Sequence, residues 1–316
     1  MEELKGLHFV TGEKGGIGKS LFAMVLLEYL NNLGIKHKFY DADRSSPDVG
    51  LAYGESYDEI VSSLGEQTTT QSNNLRAIVN IEDQDHKQAI SDDIATPTTN
   101  NSTEHIYFSE DQRESFRADL LYEEASEGNL VVVNLPAQVE LLVNQWLTAR
   151  SILEESDFPI YYWFVTDGSP ESLTLLERSL SQYGDKIEHI IVRNSGLNRS
   201  VDDAIIRHPV LKSMQLLKTK MVEMGQLILS DVQMETVKNN KLTLRKAMDR
   251  EVNIEGLKSL SKTRIKTFLK KSHIEIDRTF VFAIKQEEAQ GMEEPEKKSK
   301  KKEGSDSPKN QEVNNG

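Results

Sequence analysis

The sequence predicts an α/β fold: an open, mostly parallel sheet with helices on both faces, in one domain with a polar insertion and a charged C-terminal tail. Three observations point there. Short apolar runs of strand length alternate with stretches of helical periodicity from the N-terminus onward. One of those runs, Leu130 to Val133, is continuous and Val-rich, the pattern of a strand buried on both faces. A glycine-rich loop, Gly12 to Ser20, directly joins the first apolar run to the first helical stretch.

Each element has a local reason. Leu7 to Thr11 is a short strand carrying Phe9 and Val10. Lys19 to Leu33 places Phe22, Val25, Leu26, Tyr29 and Leu30 at helical spacing and closes on Gly34, a C-cap residue. His37 to Tyr40 forms a second strand leading into Asp41-Ala42-Asp43. Residues 55–104 turn polar, with Thr/Asn/Ser tracts around a short apolar piece, Leu75 to Ile81, and read as an insertion. Phe116 to Ala125 and Leu141 to Leu153 are expected helices on either side of the Leu130 strand. Ile160 to Val165 is a strand, Leu173 to Tyr183 a helix, Ile187 to Val192 a strand, and Leu227 to Leu229 a candidate last strand. Leu257 to Leu269 reads as a basic amphipathic helix. The expected domain runs over 1–272, and 285–316 is a low-complexity charged tail.

Composition narrows the chemistry. The chain has 316 residues, 37% hydrophobic and 28% charged, enough for a sizeable core. No Cys is present, which removes disulfides, thiolate metal sites, iron–sulfur clusters and cysteine nucleophiles together. The seven His show no metal-ligand spacing. No run approaches membrane-span length and no signal pattern opens the chain, so the expectation is a reducing, cytoplasmic setting without a membrane anchor. The net charge of −13 is unevenly placed. Residues 55–128 hold 17 acidic and 4 basic side chains, whereas 236–271 hold 11 Lys/Arg against Asp249, Glu251 and Glu255. A basic patch of that kind can meet a polyanion whatever the total charge.

The glycine loop carries the strongest chemistry. Gly15, Gly16, Ile17 and Gly18 precede Lys19, Ser20 and Leu21 between a strand and a helix N-terminus. Backbone N–H groups wrap a phosphate closely only where no Cβ intervenes, and the helix dipole favours the anion. In such a loop Lys19 supplies a point charge for the β- and γ-phosphates, and the Ser20 hydroxyl is placed to ligate Mg²⁺. ATP with Mg²⁺ is therefore the expected ligand.

Lys14, ahead of that loop, resembles the signature lysine of the deviant Walker A loop in the ParA/MinD group of P-loop ATPases. The resemblance implies that Lys14 reaches across an ATP-dependent homodimer to the partner's phosphates. Asp41-Ala42-Asp43 resembles the family's switch I segment, which makes Asp43 the carboxylate that orients the attacking water. Val131 to Gln138 is similar to the Walker B region, placing Asn134, with Asp41 and Ser20, at the metal. Asp167 and Ser169-Pro170 match a loop beside the site. Asn194, after Arg193, resembles the strand-end amide that reads adenine. Two positions depart from the family: Asn134 stands where it has aspartate, and Gln138 where it has glycine. An amide accepts a hydrogen bond from a metal-bound water but brings no charge, which implies weak Mg²⁺ binding and slow hydrolysis.

Residues 241–249, followed by the basic helix, resemble the ParA-like ATPases of plasmid conjugation and mobilisation, the TraL-type proteins. The resemblance spans roughly residues 5–54 and 105–272. The implied function is a dimeric switch ATPase in plasmid transfer, mobilisation or partition. It would contact a transfer or partition protein and bind DNA without sequence preference through 257–271. Alternatives are a non-hydrolysing nucleotide-binding adaptor and a MinD-type positioning ATPase.

Overall fold

In the computed structural model, residues 4–54, 106–109 and 115–283 are described; the expected insertion (55–104) and tail (285–316) lie outside them. The chain divides into one unit at Met1–Ala283 and another at Ile284–Gly316. Six strands are present among the described residues: β1 (Gly6–Thr11), β2 (Lys38–Asp41), β3 (Leu130–Asn134), β4 (Ile160–Thr166), β5 (Glu188–Asn194) and β6 (Lys220–Met224). They lie in the order β2-β3-β1-β4-β5-β6, every neighbouring pair parallel.

Alternation along the strands sorts their side chains between two faces. Val10 lies in register with Trp163 on β4, and both pack with Ile190 and Val222 against one set of helices. That set is α1 (Lys19–Leu33), α10 (Leu244–Met248) and α11 (Ser259–Asp277). Phe9 lies in register with Val133 and Tyr162 and faces the other side. There it meets α3 (Asp119–Ser126) and α4 (Glu140–Ala149), while α6 (Pro170–Tyr183), α7 (Val201–Arg207) and α8 (Val210–Leu216) cover β4 and β5. Trp163 and Phe9 are wholly buried. Burial on that scale contributes roughly 1.5–3 kcal/mol for each large side chain. Three short helices complete the described set: α2 (Asp48–Tyr53), α5 (Ile152–Glu155) and α9 (Asp231–Asn239). A 3₁₀ turn at Ser115–Ala118 precedes α3.

The parallel fold expected from sequence is present, with local corrections. The last strand is Lys220–Met224, and 227–229 is loop whose Leu227 and Leu229 pack against the core. β6 is an edge strand with alternating exposure, so its Lys and Glu positions hide it from an apolar scan. The expected 141–153 helix breaks at Ser151, which adopts φ 53° between α4 and α5. The basic helix runs longer than expected, to Asp277.

The segment after α11 belongs to the core. Asp277 accepts a hydrogen bond from the Tyr29 hydroxyl at 2.7 Å, and Phe282 stacks on Trp163 with centroids 5.8 Å apart. His8, on β1, is stacked between Tyr161 and Phe282 and accepts from Trp163 Nε1 at 3.2 Å. Burial drives its pKa down to about 3, so it is a neutral core residue.

The strand order fixes where a ligand can sit. The chain leaves β1 for β2 and β3 on one side, then crosses to β4 on the other. Connections diverge between β3 and β1, and in open sheets the crevice at such strand ends is the binding position. Gly12 follows β1 there, and Leu135 follows β3.

Candidate functional site

Two glycines of the loop after β1, Gly12 and Gly18, sit where a side chain has no room. Gly12 has φ 143°, and a Cβ on it would lie 2.5 Å from Ile17 Cδ1 and 2.6 Å from the Val165 carbonyl oxygen. Gly18 caps α1 with φ 98°, and a Cβ there would lie 2.6 Å from Asn194 Nδ2. Ile17 is buried and pins the loop. Asn194 braces it from β5: its Nδ2 donates to the Ile17 carbonyl at 2.8 Å, and its Oδ1 accepts from Leu197 N at 3.2 Å. Both ends of that amide are engaged within the protein. Lys19 lies across the loop, donating to the Lys14 carbonyl at 3.3 Å. Burial lowers its pKa, and the charges of Glu13 and Asp43 oppose that shift.

The two aspartates after β2 do different work. Asp41 Oδ1 accepts from Asn134 Nδ2 at 2.9 Å and from Asp43 N at 3.2 Å, while its Oδ2 accepts from Gly50 N at 2.7 Å. Its carboxylate thus anchors β2, β3 and α2 together. Burial raises its pKa despite those three bonds. Asp43 Oδ1 accepts from Ser45 and Ser46 N–H and from the Ser45 hydroxyl, folding the switch-like segment into a tight turn. Asn134 is wholly buried, and its Oδ1 has no hydrogen-bond partner among the described residues. A buried acceptor in that state is costly unless something donates to it.

Lys14 pairs with the loop that follows β4. Its Nζ donates to Asp167 Oδ2 at 2.7 Å and to Ser169 Oγ at 3.1 Å. Asp167 raises the Lys14 pKa. Partial burial pushes the Asp167 carboxyl up, but hydrogen bonds from Lys14 and Ser169 outweigh it and hold the group below the usual range. Ser169 is also the N-cap of α6, ahead of Pro170, so the helix start fixes the acceptor.

A cavity of about 500 Å³ opens from this loop. Gly15, Gly16, Gly18, Lys19, Ser20 and Leu21 form one wall, and Asp43 lies on another with Ser45 and Ser46. The sheet and the loops therefore bring the loop residues and Asp43 to one cavity. Asn134 and Asp41 are not among its lining residues, and Lys14 is paired with Asp167. No protein-family model matches the chain. A 62-residue stretch is 39% identical to Protein MobD of Acidithiobacillus ferrooxidans. That stretch is 20% of this chain and covers 27% of MobD's length.

Several site residues escaped the sequence reading. Met234 and Lys238, both on α9, line the cavity with Asp48 of α2. Glu13 is buried, and its Oε2 accepts from Glu140 N at 3.1 Å, tying the loop to the start of α4. Burial raises its pKa. The position after Pro136-Ala137 supplied one signal: Gln138 keeps the left-handed conformation, φ 61°, that a glycine would adopt freely.

The basic helix differs most from expectation. Lys262 is buried, and its ammonium donates to the Asp249 and Val252 carbonyls, so it holds a loop and faces no polyanion. Leu260 is exposed, whereas Leu257, Ile265, Phe268 and Leu269 pack in the core. Lys258, Lys266, Lys270 and Lys271 are exposed, and Arg264 is half-buried. Among the described residues no helix is long and apolar enough to cross a membrane.

Proposed function

We propose that this chain is a nucleotide-dependent switch, an ATP-binding and slowly hydrolysing ATPase of the ParA/MinD kind, acting in DNA mobilisation or transfer. One observation carries the reading. A loop shaped by left-handed glycines joins a central parallel strand to a helix N-terminus and opens on a cavity shared by Lys19, Ser20 and Asp43. The similarity to MobD supports the placement in mobilisation.

Residues 13–20 would wrap the phosphates, with Lys19 as the point charge. The donors suit Mg²⁺: the Ser20 hydroxyl and the Asp43 carboxylate line the cavity, the unpartnered Asn134 oxygen is buried outside its lining, and all three are hard oxygen donors. No group of three His, Cys, Asp or Glu among the described residues could hold a metal alone, so the cation would come with the nucleotide. Bound there, Mg²⁺ would neutralise phosphate charge. Asp43 would orient water, and Asp41 would hold the strand ends beneath it. Lys14 would exchange Asp167 for a partner's phosphate on dimerisation.

Calorimetric titration with ATP and Mg²⁺, and gel filtration with and without them, test this. Wild type should bind ATP and shift to a dimer, Lys19→Ala should lose binding, and Lys14→Ala should bind yet stay monomeric. Wild type that binds no ATP refutes the reading. The neutral amide of Asn134 favours a second reading, a non-hydrolysing adaptor, which ATP binding by wild type with phosphate release no higher than that of Lys19→Ala would establish. The exposed α11 lysines would contact DNA phosphates, so neutralising Lys266, Lys270 and Lys271 should weaken duplex binding and flatten its salt dependence. Ile265, Phe268, Leu269 and Ile276 of α11 are committed to the core, which counts against a MinD-type membrane helix there.

A further inference from the structure

The cavity at the phosphate loop is lined in part by a helix whose chemistry suits a particular ligand group. α9 starts at a capping box, Ser230 with Gln233, which fixes its first turn. Gln233 Nε2 also donates to the Gly256 carbonyl at 3.2 Å and to Ser261 Oγ at 2.7 Å, so the helix is held by the start of α11. One turn further along, Met234 lines the cavity, and after another turn so does Lys238. The Lys238 ammonium lies 2.7 Å from Asp48 Oδ2, which also accepts from the Ser46 hydroxyl at 3.2 Å. Ser46 lies three residues beyond Asp43 in the same turn.

We propose that Lys238 is a nucleotide-binding residue that discriminates a nucleoside triphosphate from a diphosphate. This rests on the reading of the cavity as a nucleotide site. The glycine loop and Lys19 would hold the β- and γ-phosphates, and the γ-phosphate is the one that faces Asp43. Ser45 and Ser46 of the Asp43 turn line the same cavity with Asp48 and Lys238, so the phosphate that faces this turn is the one Lys238 would meet. An ammonium on a flexible stem, held by a single carboxylate at the rim, can exchange that carboxylate for a terminal phosphate. Its side chain is 46% exposed, so it can move without disturbing the core. Asp48 then loses its cation, and α2, which follows Asp43, is released from α9. The discrimination comes from charge placed where only the longer ligand reaches.

The test uses the full-length chain and calorimetric titration with ADP and with a non-hydrolysable ATP analogue, each with Mg²⁺. Lys238→Gln should lose about tenfold in affinity for the triphosphate, the size of one charge-assisted hydrogen bond, and keep its ADP affinity. Lys238→Arg should recover much of the loss. Asp48→Asn, which frees the lysine, should bind the triphosphate at least as tightly as wild type. Equal losses for both nucleotides in Lys238→Gln, or no loss for either, overturn the proposal while leaving the nucleotide site in place. Wild type that binds neither nucleotide overturns the site itself, and this inference with it.

Discussion

Asn134→Asp exchanges the neutral amide beside Asp41 for a second carboxylate, and its cost follows from the distances. Asn134 Nδ2 donates to Asp41 Oδ1 at 2.9 Å in a wholly buried position. An aspartate would meet Asp41 oxygen to oxygen with no proton between them. Two unit charges about 4 Å apart repel by roughly 4 kcal/mol at an effective dielectric of about 20. The lost hydrogen bond to a charged acceptor adds roughly 1.5–3 kcal/mol. Uptake of one proton by the pair caps the penalty, as in other close carboxylate dyads. A net loss near 3 kcal/mol lowers the melting temperature by about 6–12 °C for a folded unit of this size.

The sign with pH follows from the same contact. Burial already raises the Asp41 pKa, and a charged neighbour raises the pair further. A carboxyl that holds its proton more tightly when folded stabilises at low pH and loses that contribution as pH rises through its folded-state value. The deficit of the variant is therefore largest at pH 8 and shrinks toward pH 5. Thermal unfolding of both proteins at the two pH values measures it. Equal melting temperatures at pH 8 would refute the contact, and a deficit that does not shrink on acidification would refute the charge argument.

Three other perturbations are equally direct. His8 stays neutral when folded, at a pKa of about 3 against 6.5 unfolded, so the unfolded chain gains protons first as pH falls. That removes about 2 kcal/mol of stability between pH 7 and pH 5. His8→Phe should delete this part of the slope in denaturant titrations, and an unchanged slope would count against it. Gln138→Gly relieves a left-handed conformation and should raise stability by about 0.5–1 kcal/mol, read as a higher urea midpoint; no rise would contradict the strain. Glu28, buried on α1, accepts from the Tyr53 hydroxyl at 2.9 Å and from Arg245 N at 2.8 Å. Glu28→Leu removes the carboxylate that accepts from both at a cost of about 2–5 kcal/mol, and a urea midpoint equal to wild type would exclude that role.

Where hydrophobic pattern and backbone chemistry coincide, the sequence sufficed. β1, the glycine loop and α1 follow from an apolar run, glycines and a helical repeat in direct succession, and β3 from an unbroken Val run. What pattern could not supply was pairing between distant charges. Lys262 looks like any other lysine of a basic helix until the 249–252 loop brings carbonyls to it. Lys238 likewise gives no sign in the chain of its approach to Asp48, 190 positions earlier. The short helices α7 to α10 were missed because each has too few turns to develop a repeat. The site was legible as a loop and its likeness to a family; its far wall, built by α9, was not.

The aromatic stack behind β1 has a practical side for anyone shortening this protein. A piece ending at residue 272, the domain end expected from sequence, would lack both Asp277 and Phe282. It would lose the acceptor of the Tyr29 hydroxyl and uncover the rings of His8, on the strand that launches the phosphate loop, and of Trp163, one strand away. Fragments meant for binding assays or crystals should therefore run through Ala283, and labels belong beyond it.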